Sequence, residues 1–168
     1  MKQIAKFFAL AIVMIAFSVS TYAQVSATAT ASATIITPIA IAWASDMNFG
    51  NIAPSGVAGT VDLTPAGVRT ATNCTIYAGA AAGTVTAASF SVTGSGSMTY
   101  TITLPGSASL TGPGAPMTTD TFTSTPSGTG TLTLGAQTLL VGATLHVGAN
   151  QTAGAYTSAA FTVTVNYN

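Results

Sequence analysis

A chain of 168 residues with three Lys and Arg, three Asp and Glu and one His cannot assemble the basic groove that binds nucleic acid or the polybasic patch that binds anionic lipid. The same scarcity of acids, bases and thiols argues against catalysis and metal binding, both of which need such groups clustered. What remains is a chain that is 48% hydrophobic, in which copies of the molecule would repel one another only weakly.

Residues 1–23 come first. Lys2 and Lys6 precede an apolar run from Phe7 to Val19, and Thr21-Tyr22-Ala23 ends it with small residues at the two positions that signal peptidase inspects. This pattern is a secretory signal peptide, with Gln24 as the first mature residue. The run is shorter than the ~20 residues that span a bilayer, and no later stretch is long and apolar enough to do so. Cleavage therefore predicts an exported chain with no membrane span. It also leaves Arg69 as the only cation against Asp46, Asp62 and Asp120, with no Lys and no Glu.

Residues 24–34 alternate without a fault: Val25, Ala27, Ala29, Ala31 and Ala33 against Ser26, Thr28, Thr30, Ser32 and Thr34. Residues 35–44 continue the phase through Ile39, Ile41 and Trp43, which places Trp43 in the core. Further rows follow: Met98, Tyr100, Ile102 and Leu104, then Leu139, Val141, Ala143, Leu145 and Val147, then Phe161, Val163, Val165 and Tyr167. Period two with one apolar and one hydroxyl-rich face is the signature of half-buried strands, and abundant Thr favours them. Turn signals separate the rows at Pro54-Ser55-Gly56, Pro65-Ala66-Gly67, Pro105-Gly106, Gly112-Pro113-Gly114 and Pro126-Ser127-Gly128. Ala78-Gly79-Ala80-Ala81-Ala82-Gly83 reads as a flexible loop. The expectation is one all-β, antiparallel sandwich over residues 35–168.

Candidate chemistry is sparse. Alternation sets His146 on the polar face. Cys74 has no partner for an internal disulfide and reads as a small buried hydrophobe. Ser is abundant enough for a Ser-His-Asp triad by counting alone, but no G-x-S-x-G turn occurs. No D-x-D-x-D run and no Gly-rich phosphate cradle occur either. The expectation is no catalytic, cofactor-binding or metal residues. Asn73 and Asn150 open N-x-T sequons, which matter only in a cell that glycosylates Asn. Trp43, Tyr77 and Tyr156 are the candidate stacking platforms should the chain bind glycans.

Ala153-Gly154-Ala155-Tyr156, followed by the alternating residues 161–167, resembles the end of chaperone–usher pilins and of the spore coat protein U group. The resemblance implies an incomplete, immunoglobulin-like sandwich. In those families the last strand is paired by a periplasmic chaperone and then by the N-terminal extension of the next subunit. On that basis Gly154, Phe161, Val163, Val165 and Tyr167 are the pairing strand. Residues 24–34 are either its donor strand or merely a long first strand or disordered start. A second resemblance covers more of the chain. Asp46-Met47-Asn48-Phe49-Gly50-Asn51-Ile52, Leu63-Thr64-Pro65, Phe90-Ser91-Val92-Thr93-Gly94, Tyr100-Thr101-Ile102-Thr103-Leu104-Pro105 and Leu145-His146-Val147-Gly148-Ala149-Asn150-Gln151 resemble the bacterial secreted family called domain of unknown function 4402. That family implies export and a pilin-like sandwich, but no activity. Pilins carry paired cysteines, whereas here Cys74 is alone. Two roles follow as expectations. One is a surface-filament subunit that assembles with copies of itself, served by a periplasmic chaperone and an outer-membrane usher. The other is a monomeric secreted adhesin or a binding module for glycans or another protein.

Overall fold

The computed structural model describes residues 24–168, so the expected signal peptide, residues 1–23, lies outside the described residues. The chain divides into one unit ending at Ile35 and a second spanning Ile36–Asn168. Residues 24–39 carry no strand or helix, and Val25 is 94% exposed.

The second unit is built of strands: β1 (Ala40–Ser45), β2 (Asn48–Phe49), β3 (Ile52–Pro54), β4 (Gly59–Leu63), β5 (Arg69–Thr72), β6 (Cys74–Ile76), β7 (Val85–Thr86), β8 (Ala88–Thr93), β9 (Thr99–Thr103), β10 (Ser107–Thr111), β11 (Met117–Thr125), β12 (Thr129–Thr131), β13 (Ala136–Val147), β14 (Thr157–Ser158) and β15 (Thr164–Tyr167). The large sheet runs β1-β8-β13-β11-β10-β14, with β4 also on β13 and β5 on β4. A second sheet runs β12-β9-β15, and β2-β7 and β3-β6 form two short ribbons. Every pairing is antiparallel. The chain is thus an all-β antiparallel sandwich.

Strand β13 is its spine. One flank faces β11, with Leu140 opposite Thr125 and His146 opposite Thr118. The other flank changes partner midway: residues 136–141 pair with β8 and residues 143–147 with β4. Gly142 sits at the changeover because the chain leaving β4 passes directly over it. A Cβ there would lie 2.7 Å from the Thr64 carbonyl carbon and 2.8 Å from the Pro65 nitrogen, inside the contact distance of any real side chain. The row Leu139, Val141, Ala143, Leu145, Val147 is buried throughout, as its period requires. It serves two cores. Leu139 and Val141 pack with Val92, Tyr100, Ile102, Leu132, Val163 and Val165. Ala143, Leu145 and Val147 pack with Phe49, Val61, Leu63 and Met117.

Among the described residues no buried side-chain nitrogen or oxygen lacks a hydrogen-bond partner. Tyr100 is fully buried, and its hydroxyl donates to Gln137 Oε1 at 2.7 Å. The same oxygen accepts the Thr131 N–H at 3.0 Å. An unpaired hydroxyl at this depth would cost about 1–3 kcal/mol.

Three expectations need correction. Trp43 is 65% exposed rather than core. It follows the phase of Ile41, but β1 is the edge strand of its sheet and its register slips between Trp43 and Ser45. The indole N–H instead donates to Asp46 Oδ1 at 3.0 Å. The loop at 78–83 contains a 3-10 turn, Gly79–Ala82. It is pinned rather than loose, because Asn51 donates its N–H to Ala82 O at 2.7 Å and its Nδ2 to Ala81 O at 3.0 Å. Gly154 lies outside β15, in a bend with φ 147°. A Cβ there would meet Pro113 Cγ at 2.5 Å, so close approach to the β10–β11 turn explains this glycine.

Candidate functional site

Two surfaces concentrate the features singled out in the sequence. The first is the outer flank of β15. Val163 and Val165 are buried and Phe161 and Tyr167 half-buried; the Phe161 ring packs tilted at 50° against Phe122, with ring centroids 5.3 Å apart. The pairing places Val165 opposite Ile102 and Tyr167 opposite Tyr100. The Asn168 N–H donates to Thr99 O at 3.3 Å, which fixes the phase of the ladder. Antiparallel ladders alternate, so Val165 and Tyr167 direct their main-chain N–H and C=O groups away from β9. Among the described residues no strand pairs with that flank, and β1 is paired on one flank only. Of the proposed pairing residues, Val165 and Tyr167 therefore share the edge of β15, whereas Phe161 and Val163 precede β15 in a segment that forms no strand and Gly154 lies elsewhere. The candidate donor residues Val25, Ala27, Ala29, Ala31 and Ala33 are all exposed.

The second surface is the polar face of the large sheet. Cross-strand register aligns Thr72, Thr60, His146, Thr118 and Ser109 in one row across five strands. Thr70, Asp62, Thr144, Asp120 and Ser107 form the next. Carboxylates that are isolated in sequence thus flank Thr144 from both sides. Thr144 donates to Asp62 Oδ1 at 2.6 Å. His146 Nε2 lies 2.9 Å from Asp120 Oδ1, and Thr121 donates to the same carboxylate at 3.0 Å. The His146 hydrogen bond holds the Asp120 carboxyl below its ordinary range, with the Thr121 hydroxyl adding to the effect and desolvation opposing it. An ionised carboxylate only accepts, so His146 carries a proton on Nε2. Sequence reading placed His146 on the polar face correctly. Its pairing with Asp120 depends on strand register, which no local pattern encodes.

The remaining candidates have structural partners. Tyr156 is not a free platform: its hydroxyl accepts from Gly114 N at 3.0 Å and Gln151 Nε2 at 2.9 Å and donates to Thr152 O at 2.8 Å. Arg69 is spent on carbonyls, reaching Tyr77 O at 2.9 Å, Asn51 O at 3.4 Å and Phe49 O. Cys74 is partly buried, and that burial raises its thiol pKa, which keeps thiolate scarce near neutral pH. Asn73 and Asn150 occupy left-handed positions, with φ 56° and 48°, a conformation Asn tolerates well. Among the described residues no three His, Cys, Asp or Glu side chains converge as a metal set, and no helix is long and apolar enough to cross a membrane.

An antiparallel sandwich with strand edges left unpaired among the described residues, β1 and β15 included, and a hydroxyl-rich outer sheet face defines a class of β-domain rather than an activity. The chain belongs to the family described as Domain of unknown function (DUF4402), whose model matches residues 39–167. Searches of curated proteins and of solved structures found no match to the chain.

Proposed function

We propose that the protein is an exported, non-catalytic structural subunit of a bacterial surface filament, assembled by donation of residues 24–34 of one copy to the open flank of β15 in the next. The supporting observation is the coincidence, in one chain, of an alternating segment that forms no strand and a strand edge without a partner among the described residues. Pairing with another chain satisfies main-chain groups of both. Eleven residues at about 3.4 Å each reach about 37 Å, ample to cover residues 163–167. Val163 and Val165 are already buried, so the incoming strand contributes ladder hydrogen bonds more than large side chains. That suits a donor whose inward residues are mostly Ala. A chain with one cation and three carboxylates after residue 23 also sets little charge repulsion against stacking. A periplasmic chaperone and an outer-membrane usher fit this reading as partners that shield the edge before assembly.

The test is to express residues 24–168 and 35–168 and compare them by electron microscopy and by heat-resistant laddering on gels. Assembly is expected only with residues 24–34 present, and a synthetic peptide of residues 24–34 should bind the shortened chain. Unchanged assembly of the shortened chain would sink the donor assignment. A monodisperse monomer from both chains would favour the second reading, a secreted adhesin, which draws its support from the polar sheet face.

A further inference from the structure

We infer that the polar face of strands β5, β4, β13 and β11 carries a binding site for a neutral saccharide, independent of how the chains associate. Beside the row Thr72, Thr60, His146, Thr118 the surface sinks into a depression of about 400 Å³. That is within the range of small-molecule sites, ~300–1,000 Å³. Its polar lining is those four side chains with Asn73, and Ala58 and Pro116 add an apolar wall. Among the described residues the hydroxyls of Thr60, Thr72 and Thr118 have no hydrogen-bond partner. Asn73 uses its Nδ2 on Ala58 O at 3.3 Å, which leaves its carbonyl oxygen as an acceptor.

The chemistry of this lining selects the ligand class. Threonine hydroxyls both donate and accept, as sugar hydroxyls do. Asp120 fixes the His146 ring through Nε2, so Nδ1 is left as a polar contact for a ligand that can both donate and accept. The apolar wall offers a surface for the C–H face of a pyranose ring. Anions are disfavoured because Asp120 and Asp62 stand in the adjacent row and Arg69 is engaged elsewhere. A lone divalent cation is disfavoured because no three ligating side chains converge among the described residues. Gly59 and Gly148 belong to the same depression. A Cβ on Gly59 would strike Cys74 Sγ at 2.6 Å, and one on Gly148 would strike Gln151 Oε1 at 2.5 Å. Gly59 is thus required by its close packing on Cys74, whereas Gly148 abuts only the flexible end of Gln151.

The test is an amide-resonance titration of residues 24–168 with maltose, lactose, cellobiose and N,N′-diacetylchitobiose, and with inorganic phosphate as the anionic control. At least one disaccharide should give saturable shifts centred on Thr60, Thr118 and His146, with a dissociation constant in the millimolar range or tighter. The double variant Thr60→Val, Thr118→Val, which keeps β-branched strand residues, should weaken that binding about tenfold, the loss expected of one or two hydrogen bonds. His146→Gln, a change confined to an exposed position, should weaken it as well. No saturable shift with any of the four sugars overturns the site. So do equal shifts with phosphate, or undiminished binding in folded variants. None of these outcomes depends on residues 24–34, so the site and the donor strand can fail separately.

Discussion

The hydroxyl of Tyr167 donates to the carbonyl of Thr37 at 2.9 Å, across 130 residues of sequence. The same oxygen accepts the Ser95 N–H at 2.6 Å. One phenol therefore ties β15 to the chain entering β1 and to the turn between β8 and β9. These are the edge strands of two different sheets, and no ladder joins β1 to β15 among the described residues. Tyr167 thus holds the sandwich together on the side where strand pairing is lacking.

Removing that oxygen leaves the Thr37 carbonyl and the Ser95 N–H without their partner. Tyr167→Phe is expected to cost about 1–2 kcal/mol, read as a lower urea midpoint with an unchanged slope. Gly94→Ala attacks the same junction sterically. Its Cβ would fall on the Tyr167 hydroxyl and lie 2.9 Å from Leu132 Cδ1, so this variant should be destabilised as well. A wild-type midpoint in both variants would show that the junction holds nothing together.

Gly142 tests the spine. Its Cβ position is filled by the chain at Leu63, Thr64 and Pro65, and neighbouring backbone can yield only by shifting β4. Gly142→Ala should therefore lose about 1–3 kcal/mol, the usual cost of overpacking. Gly106→Ala is the control, because nothing lies within 4 Å of its Cβ position. Equal stabilities of the two variants in denaturant would refute the account of β13 changing partners under a close crossing.

Period two made the strand rows legible, because each row needs only its own residues to reveal a buried face. Leu139, Val141, Ala143, Leu145 and Val147 form one unbroken apolar row, and all five are buried. That the row serves two cores was not legible. The division depends on which strands arrive beside β13, and only Gly142 hints at the change. Trp43 misled because alternation reports the face of a strand and not whether a second layer covers it. His146 meets Asp120, and Thr144 meets Asp62, through the registers of β11 and β4 on β13, although the members of each pair lie far apart in sequence. Such long-range pairings leave no local mark. The half-buried edge of β15 was legible as an alternating strand, but its open flank was not, since a free edge is a property of the whole sheet order.

The buried Tyr100–Gln137 pair calls for a double-mutant cycle. Gln137→Leu strands the Tyr100 hydroxyl and the Thr131 N–H and should cost about 1–3 kcal/mol. Tyr100→Phe removes the hydroxyl that needs the amide and should cost less. In the double variant the hydroxyl is no longer left unsatisfied, so the combined loss should fall short of the sum by at least about 0.5 kcal/mol. Strict additivity in urea unfolding would mean the two side chains are not coupled.

Asp120 makes acid stability readable in a chain with so few carboxylates. Its folded carboxyl titrates below the ordinary range because His146 hydrogen-bonds its ionised form. The unfolded carboxyl, at about pH 3.9, takes up its proton first. The stabilisation is therefore complete above that value and fades as pH falls through the lower, folded one. Asp120→Asn has no such carboxyl. Asp46 and Asp62 remain in both proteins, so their contribution cancels in the comparison. Urea midpoints measured from about pH 5 down to about pH 2.5 should fall more steeply for the wild type than for Asp120→Asn, and the gap between the two proteins should narrow with acid. Parallel curves would show that the His146–Asp120 contact contributes nothing to folding, and the ordering of the His146 ring would then need another cause.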